Sequence, residues 1–366
     1  MRVAIVNDSR MATEILRRIL AGLPDFTLAW IAYSGEEALG LCAQSPPDII
    51  LMDLIMPGID GAETTRRIMR STPCVILVVT ATTIGNRDKV FEAMGFGALD
   101  AVNTPVLGTG RNLDGAEPLI QKLRTVARLV VANGPRGKAA SVHAEAQAAN
   151  TSRFPVVAIG ASTGGPQALA EILSHLPAEF PAVVLIVQHV DEQFTPGLAA
   201  WLQHYSKLTV SIARQGELLL PGGVWLAGTK QNLTYQNGSV LYKAAAQDAV
   251  HCPSIDALFF SLAFTHAQPS PVPRVGVLLT GMGRDGAAGL LALRKSGALT
   301  IAQDAATSVV YGMPKAAVEL GAALEILPLS AVGPRICKSI LAESPTVVEE
   351  SDQHATSPLA WRIPKT

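Results

Sequence analysis

Short apolar runs alternate with amphipathic stretches along most of this 366-residue chain. In the first part the runs lie at residues 3–6, 28–32, 49–52, 75–79 and 99–102. The stretches between them place apolar residues at helical spacing, as at Leu16, Ile19 and Leu20. Because strands and helices that alternate in this way form parallel sheets covered by helices, the pattern predicts an α/β fold with an N-terminal doubly wound (βα)5 domain.

The alternation stops at residues 132–153, which are rich in Ala, Ser and Gln and typical of a linker. Further strands are predicted at 156–159, 183–187, 275–279 and 300–302. The pair Asn237 and Gly238 suits a type I′ turn, so the second doubly wound parallel sheet should carry an antiparallel hairpin insertion. We therefore predict a first domain over 1–125, a linker over 126–153, a second domain over 154–343 and a flexible tail over 344–366.

Composition excludes several classes of protein. Lys and Arg total 29 against 30 acidic residues, whereas nucleic-acid-binding proteins usually carry a basic excess. The four cysteines lie far apart without Cys-x-x-Cys spacing, which argues against a zinc site and against a disulfide framework. The sequence shows neither a signal peptide nor a run of about 18 apolar residues. We expect a cytoplasmic protein that neither binds nucleic acid nor inserts into a membrane.

Polar side chains follow three strands of the first predicted sheet. Asp8 follows the first strand, Asp53 the third and Thr80 the fourth, all at the carboxyl edge where ligands bind to parallel sheets. Acidic residues after strands often only cap helices, but three positions in register favour a binding site. Two carboxylates and a hydroxyl suit Mg²⁺ and a phosphoryl group.

The segment Asp-Leu-Ile-Met-Pro-Gly-Ile-Asp-Gly at 53–61 resembles the phosphoacceptor segment of bacterial response-regulator receiver domains, and the resemblance extends from residue 1 to about 125. It implies that Asp53 accepts the phosphoryl group, that Asp8 and Asp53 bind Mg²⁺, and that Thr80 is the switch hydroxyl.

Three positions depart from the receiver pattern. Asn7 stands where the family usually has a second acid, Thr104 where it has a lysine before a proline, and Ala101 where it has an aromatic switch residue. The lysine normally pairs with a phosphoryl oxygen and couples modification to movement. Phosphorylation of Asp53 remains the expectation, and the missing lysine bears on its kinetics and readout.

Residues 160–165, Gly-Ala-Ser-Thr-Gly-Gly, lie between an apolar run and a helical pattern that begins near Pro166. This is the Gly-x-Ser-x-Gly nucleophile elbow, in which small neighbours let a serine project from a tight turn. The backbone N–H groups after Ser162, those of Thr163 and Gly164, would face a developing oxyanion at the helix N-terminus. A lone serine in such a turn is more often a helix cap.

A serine nucleophile needs a base. His189 ends the strand predicted at 183–187, and Asp285 follows the strand at 275–279. An aspartate there would orient the imidazole and stabilise its protonated form. Each residue has a structural explanation, but three at three strand ends of one sheet favour a catalytic triad.

The same loop supports a competing interpretation. Residues 281–286 read Gly-x-Gly-x-x-Gly after a strand, and Asp304 lies about 20 residues further on, which together predict a dinucleotide-binding oxidoreductase. This interpretation leaves Ser162 and His189 unexplained and places Asp285 where the pyrophosphate would dock. A third alternative is a non-catalytic chemosensory regulator with two degenerate domains.

Residues 154 to about 343 resemble the catalytic domain of protein-glutamate methylesterases, the chemotaxis CheB family. The matching stretches are 159–166 (Ile-Gly-Ala-Ser-Thr-Gly-Gly-Pro), 188–189, 253–256 (Pro-Ser-Ile-Asp), 280–286 (Thr-Gly-Met-Gly-Arg-Asp-Gly), 302–304 and 312–314. The order of receiver, linker and methylesterase is the family's own. By this resemblance Ser162, His189 and Asp285 are the triad, with Met282 near the oxyanion site.

The resemblance implies a serine hydrolase that demethylates glutamate γ-methyl esters on methyl-accepting chemoreceptors and deamidates their glutamines. It also implies a chemotaxis-type histidine kinase as a partner, Mg²⁺ as the cofactor of the receiver and no cofactor in the catalytic domain. In the family the unmodified receiver lies over the catalytic cleft, so phosphorylation is expected to open it.

Overall fold

The computed structural model describes residues 1–80, 87–107, 113–114, 116–131, 154–245, 252–264 and 272–342. The predicted tail at 344–366 lies outside these residues, as does the predicted linker from residue 132 to 153. In the described part of the chain, no helix combines the length and the apolar character needed to cross a membrane.

The first domain is a five-stranded parallel sheet with helices on both faces. Its elements are β1 (Arg2–Val6), α1 (Arg10–Ala21), β2 (Thr27–Ala32), α2 (Gly35–Gln44), β3 (Ile49–Met52), α3 (Gly61–Ser71), β4 (Val75–Thr80), α4 (Arg87–Gly95), β5 (Asp100–Asn103), β6 (Val106–Leu107), β7 (Leu113–Asp114) and α5 (Ala116–Val131). The sheet order is β2-β1-β3-β4-β5, and β6 pairs with β7. The predicted fold class is confirmed, and each of the five predicted strands begins and ends within about one residue of its expected bounds.

Local sequence accounts for these elements. All four residues of β3 are buried, as a continuous apolar run in a parallel sheet requires. Helix α1 buries the apolar side that its spacing predicts, and the Ser9 hydroxyl caps it by accepting the N–H of Ala12 at 3.3 Å. Helix α5 runs to Val131, so its last six residues overlap the start of the predicted linker.

The second domain is a seven-stranded parallel sheet. Its elements are β8 (Val156–Ala161), α6 (Gly165–His175), β9 (Val183–Gln188), α7 (Thr195–Gln203), β10 (Thr209–Ile212), β11 (Gly223–Leu226), β12 (Asn232–Gln236), β13 (Ser239–Lys243), α8 (Ile255–Phe264), β14 (Arg274–Leu278), α9 (Ala287–Lys295), β15 (Leu299–Gln303), α10 (Met313–Glu319), β16 (Glu325–Leu327) and α11 (Leu329–Ala342). The order is β10-β11-β9-β8-β14-β15-β16, so β8, β9 and β14 lie at its centre.

The predicted hairpin is present as β12 and β13, which form a two-stranded antiparallel sheet of their own. Asn237 and Gly238 have φ angles of 52° and 82°, the left-handed conformation of a type I′ turn. The strands β10, β11 and β16 were not predicted from the sequence. They are short, and the residues of β10 and β16 are mostly half-buried or exposed, so no continuous apolar run marks those two.

The two domains are packed together along α4, α6 and α7. The Phe91 ring on α4 lies 6.1 Å, centroid to centroid, from Trp201 on α7, and one apolar core continues from the first domain into the second. The Gln167 amide on α6 donates to the carbonyl oxygens of Met94 and Ala98 in the first domain. This packing brings β5 of the first domain next to the carboxyl edge of the second sheet.

Candidate active site

A cleft of about 540 Å³ lies between the two domains. Ser162, Thr163, His189 and Met282 line it from the second domain, and residues 100–103 line it from the first. Two of the predicted triad residues, Ser162 and His189, therefore share a cavity with two of the residues predicted near the oxyanion.

Ser162 follows β8, a strand whose six residues are all buried. Its N–H donates to the carbonyl oxygen of Thr280 at 3.0 Å, and its own carbonyl accepts the N–H of Gly165 at 2.8 Å. The turn requires Gly164 at φ 77°, a conformation that L side chains rarely adopt. A Cβ on Gly281 would lie 2.6 Å from the Ser162 Cβ. The loop after β14 therefore packs against the serine at a distance that only glycine permits.

His189 occupies the matching position on the adjacent strand. Ala161 of β8 pairs with Gln188 of β9, so Ser162 and His189 are the next residues on two parallel neighbours. The His189 N–H donates to the Ala161 carbonyl at 3.0 Å, and the Gln188 side-chain amide donates to the Ser162 carbonyl at 2.8 Å. Both residues are thereby fixed to each other through the ends of their strands.

Asp285 meets His189 from the loop after β14. The distance from His189 Nε2 to Asp285 Oδ2 is 2.8 Å. Burial alone would raise the pKa of Asp285, but hydrogen bonds and the His189 charge bring that pKa below its usual value. The carboxylate therefore stays ionised and acts as a hydrogen-bond acceptor. Its other donors are the Ser254 hydroxyl and the backbone N–H groups of Ile255, Asp256 and Gly286.

The residues predicted near the oxyanion lie around Ser162. Among described residues, no acceptor takes the backbone N–H of Thr163 or of Gly164, and the Thr163 carbonyl is held by the Thr280 hydroxyl at 2.9 Å. Two amides at the N-terminus of α6 are thus available to a negatively charged oxygen next to the serine. Their role in catalysis stays a prediction, as does that of Met282.

The first domain contributes a buried acid to the same cleft. Asp100 at the start of β5 is 8% exposed and accepts the Thr163 hydroxyl at 3.2 Å through Oδ2. Lys122 on α5 forms an ion pair with that oxygen at 2.6 Å. Sequence reasoning did not identify this contact, because nothing in the local pattern around Asp100 or Lys122 indicates which surface the first domain covers.

Asp304, on which the dinucleotide interpretation depended, has another partner. Its Oδ1 accepts the Thr307 N–H at 2.9 Å and the Thr307 hydroxyl at 2.6 Å, so the carboxylate closes a local turn. Asp285, in the glycine-containing loop at 281–286, is bound to His189. Close packing explains Gly281 and Gly286, and a φ of 90° explains Gly283, so no bound pyrophosphate is needed to account for these glycines.

The predicted phosphorylation site lies in a second cavity, of about 350 Å³, which Asn7, Asp53, Thr80 and Thr104 help to line. Burial raises the pKa of Asp53, and the charge of Asp8 raises it further, against hydrogen bonds from Leu54, Ile55 and Thr80. Asp8 itself is exposed. The two carboxylates repel each other, and a divalent cation would relieve that repulsion.

These groups fit Mg²⁺. In the described ranges no group of three or more His, Cys, Asp or Glu side chains is arranged to hold a metal, so the protein offers two carboxylates and leaves the other positions to water and phosphate oxygens. Mg²⁺ is usually bound in this way. Asn7 is less suited to bind the cation, because its side-chain oxygen already accepts the Ser9 N–H at 2.8 Å.

Comparisons with known proteins give matches to both domains of the chain. Residues 157–336 match the family model CheB methylesterase, and residues 3–108 match the Response regulator receiver domain. The chain is 50% identical over 339 residues to protein-glutamate methylesterase/protein-glutamine glutaminase 3 of Pseudomonas aeruginosa, which covers 92% of this chain and 99% of that protein. It is 51% identical over 338 residues to protein-glutamate methylesterase/protein-glutamine glutaminase 2 of Cupriavidus metallidurans, with coverages of 92% and 97%. It is also similar to the crystal structure of the Thermotoga maritima CheB methylesterase catalytic domain, with 35% identity, 50% of this chain and 97% of that chain covered, and a TM-score of 0.47.

Proposed function

Because the chain belongs to the CheB methylesterase family and carries a receiver domain in front of the catalytic domain, we propose that it hydrolyses glutamate γ-methyl esters and deamidates glutamines on methyl-accepting chemoreceptors. The observation that carries this proposal is the 2.8 Å contact between His189 Nε2 and Asp285 Oδ2, beside Ser162 at the end of the adjacent strand. Family and domain order place the chain in chemotaxis signalling.

The first half of the proposed reaction forms an acyl-enzyme. Ionised Asp285 accepts the Nε2–H of His189, which leaves Nδ1 of the ring as the base for Ser162. The Ser162 Oγ bonds to the ester carbonyl carbon while its proton passes to Nδ1. The carbonyl oxygen becomes negative and is stabilised by the N–H groups of Thr163 and Gly164.

The second half releases the products. The bond to the methoxy oxygen breaks as the His189 proton transfers to it, so methanol leaves. Water then attacks the acyl carbon while His189 takes a proton from it. The bond between the acyl carbon and the Ser162 Oγ breaks as His189 returns this proton to the Oγ. The carboxylate of glutamate is the product. A glutamine side chain reacts in the same way, with ammonia as the leaving group.

The receiver domain is the proposed regulator of the esterase activity. We propose that Asp53 accepts a phosphoryl group from a chemotaxis-type histidine kinase, with Mg²⁺ held by Asp8 and Asp53 and with Thr80 as the switch hydroxyl. When bound, the cation would neutralise negative charge on the transferring phosphoryl oxygens. The contact from Asp100 to Thr163 supports inhibition of the unmodified enzyme, since it holds the receiver against the nucleophile turn. The substrate and the kinase are both expected in the cytoplasm.

The test is an assay of methanol released from methylated chemoreceptor. The purified wild-type chain should release methanol, and Ser162→Ala should lose nearly all turnover while its melting temperature stays unchanged. Ser174→Ala is the matched control, because Ser174 lies on the same helix α6 and its hydroxyl contacts the Glu171 carbonyl and the neighbouring His175 ring instead of the cleft.

Full turnover in Ser162→Ala would refute the assigned nucleophile. A wild-type protein without activity, even after phosphorylation, would instead favour a non-catalytic regulator. Saturable binding of NAD(P)H in a fluorescence titration would revive the oxidoreductase alternative.

A further inference from the structure

Helices α8 and α9 begin side by side at the triad aspartate, and each N-terminus is bound by a carboxylate from the other. Asp285, which precedes the N-cap Gly286 of α9, accepts the N–H groups of Ile255 and Asp256 in the first turn of α8 at 2.7 and 3.0 Å. In return, Asp256 accepts the N–H of Gly289 in the first turn of α9 at 2.6 Å through Oδ1.

The two helix starts are in backbone contact here. A Cβ on Gly289 would lie 2.9 Å from the Asp256 carbonyl oxygen and 2.6 Å from the Phe259 Cβ. A Cβ on Gly286 would lie 2.6 Å from the Ile255 Cγ2. Because Gly289 has no side chain, its backbone lies directly against the Asp256 backbone, and a shift of one helix start relative to the other changes the donors on the Asp285 carboxylate.

Nothing in the reaction described above uses Asp256, although its carboxylate is half-buried beside that of Asp285. Burial raises its pKa to about 7, the Asp285 charge acts in the same direction, and the N–H of Gly289 opposes both. The titratable groups that face it are Asp285, from the loop before α9, and His189 behind that carboxylate.

We propose that Asp256 is a positioning residue for the catalytic pair. By binding the first turn of α9 to the first turn of α8, it keeps the α8 donors on Asp285 and so holds Asp285 Oδ2 against His189 Nε2. Asp256 itself touches no substrate. This inference rests on the proposed esterase function.

The competing explanation is that Asp256 only stabilises the helix pair, and the structure supplies a control for that. Arg274 is buried and joins the same two helices at their other ends, where it donates to the Leu262 carbonyl at 3.0 Å and to the Ser296 carbonyl at 2.7 Å. A helix of ten residues separates its two ends by about 15 Å, so replacing Arg274 should loosen the helix pair without disturbing the triad.

The experiment compares full-length variants in the receptor methanol assay, with kcat, KM and melting temperature measured for each. Asp256→Asn keeps a side-chain oxygen for the Gly289 N–H, whereas Asp256→Leu has a similar size and no acceptor. Arg274→Met weakens the opposite ends. We expect Asp256→Leu to lose kcat by on the order of 100-fold with little change in KM, since a misplacement of about 1 Å has that effect. Asp256→Asn should stay within about tenfold of wild type, and Arg274→Met should keep kcat despite a lower melting temperature.

A wild-type kcat in Asp256→Leu, an equal loss in Arg274→Met, or Asp256→Asn as slow as Asp256→Leu would overturn the positioning role. If Asp256→Leu does not fold, Asp256→Ala removes the acceptor without added bulk and should show the same loss. Ser162→Ala in the same assay separates the two proposals. Wild-type turnover that does not depend on Ser162 refutes the esterase mechanism, whereas Ser162-dependent turnover that Asp256 does not affect refutes only the positioning role.

Discussion

Gln167→Leu should activate the unphosphorylated enzyme. The Gln167 side chain belongs to the catalytic domain, but its amide donates across the interface to the carbonyl oxygens of Met94 and Ala98, the latter at 3.3 Å. Leucine has a similar size and no donor. In the closed arrangement the two carbonyls would lose a partner, whereas in an open arrangement water replaces it, so the substitution shifts the equilibrium towards opening.

The size of the effect follows from the bonds lost. A neutral hydrogen bond contributes about 0.5–1.5 kcal/mol net, and one of these two is long, so their loss should cost the closed state about 1.4 kcal/mol. That corresponds to about a tenfold larger open fraction. As long as the open state is a minor population, esterase turnover of the unphosphorylated chain should rise by the same factor, with little change in the fully phosphorylated enzyme.

The assay is methanol release from methylated receptor by unphosphorylated full-length protein and by a fragment of residues 154–342. The fragment should show no effect of Gln167→Leu. Gln203→Leu is the matched control, because Gln203 donates to the Leu208 carbonyl at 3.0 Å and accepts the Val210 N–H at 2.8 Å within its own domain. Unchanged turnover in the full-length variant, or the same rise in the fragment, would show that this interface does not inhibit the enzyme.

Two further predictions concern the carboxylates. Asp285→Asn should lower turnover by about 10⁴-fold, because an amide cannot hold the required tautomer of His189. The lowered pKa of Asp285 means that its ionised form stabilises the fold above the unfolded pKa of about 4. The gap in melting temperature between wild type and this variant should therefore be full at pH 7 and shrink as the pH falls below about 4; a gap constant down to pH 2 would contradict this. Asp53→Asn should abolish labelling by a small phosphodonor and its activation of the esterase, and EDTA should do the same to wild type; labelling that persists in the variant would place the phosphoacceptor elsewhere.

Much of the site could be predicted because parallel sheets impose simple rules. Strands β8, β9 and β14 are buried throughout and consist mostly of apolar residues, so they were clear in the sequence. Polar residues that follow the carboxyl ends of parallel strands meet at one edge of the sheet. For this reason Ser162, His189 and Asp285 could be assigned to one site from the sequence alone. Whether their side chains touch depends on rotamers and register, which only the structure gives.

The parts that could not be predicted depend on contacts between distant segments. Asp256 was visible within the Pro-Ser-Ile-Asp stretch at 253–256, but its bond to Gly289 exists only because α8 and α9 begin side by side. Asp100 and Thr163 are separated by the whole linker, and their contact depends on how the domains are packed. Neither contact leaves a periodic pattern in the sequence.

The short strand β5 and the residues that follow it lie between two cavities. Residues 100–103 form part of the hydrolase cleft, and Thr104, Pro105 and Val106 border the cavity around Asp53. At about 3.3 Å per residue, the distance along the strand from Asp100 to Thr104 is about 13 Å. If residues 100–106 move to make room for a phosphoryl group on Asp53, the cleft in front of Ser162 changes shape as well. A signal from Asp53 would thus reach the cleft through a single strand, and Thr104, which replaces the family's lysine, directly follows that strand and lines the Asp53 cavity.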